Sequence, residues 1–150
     1  MKRAPSNELK TEFPSLSSNE SLARSLTAAF CALANPTLEE LADIKCAVSE
    51  AVTNCIVHGY RGTVGTVEMI MRLFPDRTLR ITVKDKGCGI SDIHTAMTPL
   101  YTTDPAGERS GMGFSIMENF MDDLKVVSAP GKGTKITMTK KLGALPRFNG

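Results

Sequence analysis

The strongest constraint in this sequence is a change of hydrophobic period near its middle. From residue 22 to residue 56 apolar side chains recur at helical spacing: first Leu22, Leu26, Phe30 and Leu33, then Leu41, Ile44, Val48, Ala51, Val52, Cys55 and Ile56. From residue 66 they alternate. Val67, Met69, Met71 and Leu73 interleave with Thr66, Glu68, Ile70 and Arg72. After the Pro75-Asp76 turn, Leu79, Ile81 and Val83 interleave with Arg80, Thr82 and Lys84. A period of two places alternate side chains on one face, so these runs predict a pair of antiparallel strands.

The remaining elements follow from local signals. Residues 8–13 alternate and read as a strand, with Leu9, Thr11 and Phe13 on one face. Ser17-Ser18-Asn19-Glu20 has the form of a capping box for the first helix. Asn35-Pro36 stops that helix, because the residue before proline avoids helical geometry. Thr37 and Glu40 cap a second helix that Gly59 ends. Residues 95–113 form a long loop rich in Thr, Pro and Gly, of a length that marks functional loops. Residues 114–123 read as a helix, and 124–129 and 135–141 as strands around Pro130-Gly131-Lys132-Gly133. The order predicts an α+β two-layer sandwich, its helices packed on one face of a mixed, largely antiparallel sheet. At 150 residues the chain is expected to be a single domain, with a core over about 8–142 and a short C-terminal tail.

Composition removes several classes of function. With 41% hydrophobic and 23% charged residues, the chain is neither disordered nor fibrous. Its longest nearly apolar run, residues 26–34, is too short to span a bilayer, and its start lacks the apolar core of a signal peptide. A cytoplasmic protein without membrane contact is expected. The net charge of +2 is too small to argue for direct nucleic-acid binding. Six of the positive charges (Lys125, Lys132, Lys135, Lys140, Lys141 and Arg147) crowd into residues 124–150, which contain no acid. Lysines on exposed strands discourage edge-to-edge aggregation, and that is the reading preferred here. Cys31, Cys46, Cys55 and Cys88 form no C-x-x-C pair and are expected to be reduced, buried thiols. With only His58 and His94 besides, a zinc site is not expected.

Four short motifs carry chemistry. Glu50, Asn54 and His58 stand four apart on the second helix, on one stripe bordering its apolar face. Asp85-Lys86-Gly87-Cys88-Gly89 closes a strand with an acid and two glycines. The carboxylate can accept a hydrogen bond from an exocyclic amine, and the glycines let a flat ring approach the backbone. A turn with glycines at positive φ explains the same residues. Arg109-Ser110-Gly111-Met112-Gly113 ends the long loop and opens a helix, where free amides bind phosphate. Gly131-Lys132-Gly133-Thr134 is a third glycine turn, which a plain hairpin also accounts for.

In this order and on these elements the motifs resemble the N, G1, G2 and G3 boxes of the GHKL nucleotide-binding fold. Ser49-Glu50-Ala51-Val52-Thr53-Asn54, His58-Gly59-Tyr60, Pro99-Leu100-Tyr101-Thr102-Thr103, Glu108–Phe114 and Ile116–Asp122 are similar to the anti-sigma factor serine kinases of that superfamily, the sporulation branch above all. The resemblance implies an ATP-dependent serine/threonine kinase that uses ATP/ADP and Mg²⁺. Its implied partners are a sigma factor, which it inhibits, and an anti-anti-sigma antagonist, which it phosphorylates on serine. It implies a homodimer as well. By position, Glu50 would be the base and Arg109 would face the γ-phosphate and the docked partner. Asn54 would ligate Mg²⁺, and Asp85 would read the adenine amine. Gly87, Gly89, Thr103, Ser110, Gly111, Met112, Gly113 and Thr134 would line the nucleotide. Glu20 and Arg24 would dock the protein partner, on a helix face shared with Thr27 and turned away from Leu22, Leu26 and Phe30. Asp104 departs from the lysine expected there. Other readings stay open: a nucleotide-gated binding module without transfer, a general-stress counterpart, or the catalytic half of a histidine kinase acting in trans.

Overall fold

Alternation along residues 66–84 does produce adjacent antiparallel strands, and three further strands extend them. In the computed structural model, which describes residues 3–90 and 113–144, β1 (Asn7–Pro14), β2 (Thr66–Leu73), β3 (Thr78–Asp85), β4 (Asp123–Ala129) and β5 (Gly133–Lys141) form one sheet in the order β1-β2-β3-β5-β4. Every pairing is antiparallel, so no parallel neighbour of a mixed sheet occurs among the described strands. Short turns join β2 to β3 and β4 to β5, and such turns connect only antiparallel neighbours.

Helices α1 (Asn19–Ala32), α2 (Leu38–Thr53) and α3 (Gly113–Phe120) cover one face of the sheet. Val67, Met69, Met71, Ile81, Val83, Ile136 and Met138 are fully buried against Ile44, Val48 and Val52 of α2 and Met117 of α3. Each such side chain contributes about 1.5–3 kcal/mol, which makes this layer the core.

α2 begins as its sequence predicts. Thr37 Oγ1 accepts the Glu40 amide at 3.0 Å, and Glu40 Oε1 accepts the Thr37 amide at 2.8 Å. Its end differs. Asn54–Gly59 is a π turn, closed by the Tyr60 amide donating to Cys55 O at 3.0 Å. Gly59 has no left-handed φ; the chain reverses at Arg61 (φ 46°) and Gly62 (φ 84°).

α1 corrects two expectations. Ser18 precedes it in helical geometry and makes no side-chain cap. The Asn19 amide group instead donates to Pro14 O at 2.9 Å, tying the helix start to β1. The buried face is Ala23, Thr27, Phe30 and Cys31, whereas Leu22 is 45% and Leu33 65% exposed. Small residues let α1 approach α2 closely. Thr27, expected to face outward, pays no polar cost inside because its hydroxyl donates to Ala23 O at 2.8 Å.

All four cysteines are free thiols. Cys31 and Cys55 are buried and Cys88 is half-buried, but Cys46 is exposed, on the face of α2 opposite Cys55. Of the C-terminal lysines, Lys125 lies on the edge strand β4, while Lys135, Lys140 and Lys141 lie on β5 inside the sheet. There Lys140 Nζ donates to Phe120 O at 2.7 Å, so edge protection explains only part of the cluster. No helix among the described residues is long and apolar enough to cross a membrane.

Candidate active site

Period two carries a carboxylate into the core. The buried row Leu79, Ile81 and Val83 on β3 ends in Asp85, which is 2% exposed. Its Oδ1 accepts the Gly87 amide at 2.8 Å, whereas Oδ2 is buried without a hydrogen-bond partner. Burial raises the Asp85 pKa above the usual carboxylate value, opposed by the Gly87 amide, the Cys55 thiol and the Thr134 amide. An unsatisfied buried acceptor costs about 1–3 kcal/mol. A donor from outside the chain would relieve that cost.

Glycines bring three backbone segments together around this carboxylate. A β-carbon on Gly59 would lie 2.9 Å from Asp85 Oδ2. One on Gly87 would lie 2.1 Å from Gly59 O, and one on Gly133 would lie 2.2 Å from Asp85 O. Gly87 is therefore required by close approach and not by positive φ. Gly89 answers both demands, with φ 74° and only 2.0 Å between an added β-carbon and Ala129 O. The Cys88 amide donates to Gly59 O at 2.8 Å and the Gly131 amide to Cys88 O at 2.7 Å. The turn after β3 is thus wedged between the π turn and the β4–β5 hairpin.

Thr134 lies beside Asp85 in the β3–β5 register and is buried. Its hydroxyl is 2.8 Å from Ser128 Oγ, which donates to Gly133 O at 2.9 Å and accepts the Ile90 amide at 2.8 Å. Glu50 and Asn54 are half-buried on α2 and the first π residue. A β-carbon on Gly113 would lie 3.2 Å from Glu50 Oε2, so the carboxylate faces the start of α3. That start is where the phosphate-binding loop was expected. The amide oxygen of Asn54 suits a hard cation such as Mg²⁺.

Glu20 and Arg24 stand on α1, with Arg24 Nε 3.8 Å from Glu20 Oε1. Glu20 Oε1 also accepts the Ser49 hydroxyl at 2.9 Å, linking this helix face to the residue preceding Glu50. Thr103, Arg109, Ser110, Gly111 and Met112 lie outside the described residues. So do His94, Pro99 and Asp104.

Three contributors were not assigned roles from sequence. Cys55 is 1% exposed, and burial together with the Asp85 charge pushes its thiol well above the ordinary value, keeping it an S–H donor. Gly59 read as a helix stop. Tyr60 Oη accepts the Lys86 amide at 2.9 Å and donates to Thr66 O at 2.6 Å, clamping the turn after β3. Its place directly after His58-Gly59 was the available signal.

Comparison with known proteins shows the family and the fold. The model of the histidine kinase-like ATPase domain matches residues 13–140. An anti-sigma F factor of Thermoanaerobacter sp. (strain X514) is 52% identical over 138 residues, covering 92% of this chain and 96% of that protein. The anti-sigma F factor of Clostridium acetobutylicum is 52% identical over 139 residues, covering 93% and 96% respectively. Among solved structures, the RsbU and RsbW domains of a Mycobacterium tuberculosis protein align with a TM-score of 0.69 at 20% identity. That alignment covers 99% of this chain and 36% of the other, and it shows a shared fold. The histidine kinase domain of an Erythrobacter litoralis EL346 blue-light activated kinase aligns with a TM-score of 0.52 at 25% identity, covering 69% of this chain and 45% of that one.

Proposed function

This chain belongs to the anti-sigma F factors within the histidine kinase-like ATPase family, and we propose that it binds and inhibits a sporulation sigma factor while phosphorylating a serine of that factor's antagonist. The observation that carries the nucleotide part is the buried, unpartnered Oδ2 of Asp85 in its glycine cradle. Adenine presents an exocyclic amine that donates to such an oxygen, and Gly87 and Gly89 let the ring lie against backbone.

Phosphoryl transfer requires charge neutralisation and alignment more than covalent help from the protein. Glu50 accepts the proton of the antagonist's serine hydroxyl as the serine oxygen bonds to the γ-phosphorus. The bond from that phosphorus to the β,γ-bridging oxygen breaks, and ADP departs with the electron pair. Arg109, with its forked cation, spreads over the phosphoryl oxygens, and the Ser110–Gly113 amides hold phosphate at the start of α3. Thr103 and Thr134 complete the nucleotide's lining. Asn54 supplies an amide oxygen to Mg²⁺, which when bound neutralises phosphate charge. Glu20 and Arg24 form the docking face for the protein partner. The same reading places a homodimer in the cytoplasm.

Partner choice would depend on the γ-phosphate, which ATP offers to Arg109 and ADP lacks. A coupling of about 1–3 kcal/mol changes affinity some 5- to 150-fold. The test is transfer of label from γ-labelled ATP to the antagonist, paired with sigma-factor capture in ATP analogue and in ADP. Transfer with nucleotide-dependent capture supports the proposal. Capture without transfer leaves a nucleotide-gated binding module, and equal capture in both nucleotides removes the gate.

A further inference from the structure

We propose that Tyr60 is a positioning residue for base recognition, its hydroxyl standing in for a ladder bond and so parting the end of β3 from β2. The inference rests on the nucleotide-binding reading above and deepens it. The β2–β3 register runs from Leu73 opposite Leu79 to Glu68 opposite Lys84. Two residues further it would set Thr66 opposite Lys86 and bring their backbone groups face to face. No backbone bond joins that pair. Tyr60 Oη lies between them instead, accepting the Lys86 amide at 2.9 Å and donating to Thr66 O at 2.6 Å. Both backbone groups are satisfied while the strands stay a hydroxyl's width apart.

What the gap frees is the segment that bears the base site. Asp85 and Gly87 flank Lys86, and the Gly87 amide donates to Asp85 Oδ1 at 2.8 Å. Parted from β2, this turn rests on the π turn, where the Cys88 amide donates to Gly59 O at 2.8 Å. The same π turn aims the phenol: its closing bond, from the Tyr60 amide to Cys55 O, spans five residues. The ring itself is seated at Gly65, where a β-carbon would lie 2.1 Å from Cε1 of the tyrosine. A larger residue there would push the ring aside. Ring and hydroxyl thus have separate holds on the strand ends, and a variant can disturb either one.

The test compares ADP with purine riboside 5′-diphosphate, which keeps the ring, ribose and phosphates and lacks only the 6-amino group. Wild type should prefer ADP, since only ADP offers Oδ2 that donor. Tyr60→Phe keeps the ring and removes the hydroxyl, so Lys86 and Thr66 can bond directly and draw the turn toward β2. By isothermal titration, affinity should fall about 3- to 10-fold for ADP and less than about twofold for the analogue, narrowing the preference. Equal weakening of both ligands, or unchanged affinities, would reduce the hydroxyl to a strand tie and end the proposal. Should Tyr60→Phe melt below the assay temperature, Gly65→Ala decides alone, because the added methyl displaces the ring with its hydroxyl intact. A narrowed preference then supports the role, and an unchanged one ends it. A wild type that binds no ADP overturns the nucleotide reading, and one that binds both ligands alike overturns amine recognition by Asp85. Neither outcome can be confused with those above.

Discussion

Gly59 and Asp85 meet so closely that a β-carbon on the glycine would sit 2.9 Å from Oδ2 of the acid. The distance links two motifs separated by 26 positions: the end of the helix that bears Glu50 and Asn54, and the acid that closes β3. The π turn delivers the glycine, and the alternation of β3 delivers the carboxylate.

Gly59→Ala should therefore act on the ligand site before it acts on the fold. The added methyl would crowd Oδ2 and displace the carboxylate, and overpacking of this kind costs about 1–3 kcal/mol. ADP affinity should drop by tenfold or more while the circular dichroism spectrum stays unchanged. Isothermal titration with wild-type affinity would show that Oδ2 is not where the base lies.

Asp85→Asn should separate stability from function. It should weaken ATP and ADP together by about 1–3 kcal/mol, because an amide nitrogen faces the amine where an acceptor is needed. The nucleotide-free protein should respond in the opposite sense. The Asp85 pKa is raised by folding, so its favourable contribution is full below the unfolded value of about 3.9 and is lost as pH rises through the folded value. Relative to wild type, the variant's melting temperature should rise between pH 4 and pH 8. A pH-independent gap would count against a strained, ionised carboxylate.

Glu50→Gln preserves size and removes the basic oxygen. Phosphorylation of the antagonist should fall by about 10²- to 10⁴-fold with ATP binding retained. Single-turnover transfer at the wild-type rate would assign the proton to another acceptor.

Arg24→Ala should weaken capture of sigma factor and antagonist and leave ATP affinity unchanged. Its pair with Glu20 is 3.8 Å long and partly exposed, and such pairs contribute only about 0–1 kcal/mol, so the fold should not change. Loss of nucleotide with partners retained would move Arg24 out of the docking face.

Local rules reached far along this chain. Alternation at residues 66–73 and 79–84 located β2 and β3 because a half-buried strand needs only its own period to orient itself. Thr37 and Glu40 announced their capping box because both hydrogen bonds close within four residues. Asp85 followed by two glycines announced the end of β3, where the acid closes a buried apolar row. These signals depend on neighbours in sequence, and the sequence contains them whole.

Tertiary structure decided what depends on neighbours in space. Which face of α1 turns inward was set by how near α2 could come, so Ala23 and Thr27 displaced Leu22 and Leu33 from the core. A fixed helical period could not foresee the π turn at Asn54–Gly59, whose Gly59 lies against Asp85 at the end of β3. Gly87 looked like a turn residue, yet what forbids its side chain is Gly59 O, 2.1 Å from the absent β-carbon. Cys55 carried no signal of its own in the sequence, because the buried face it shares with Gly59 exists only once the π turn has formed.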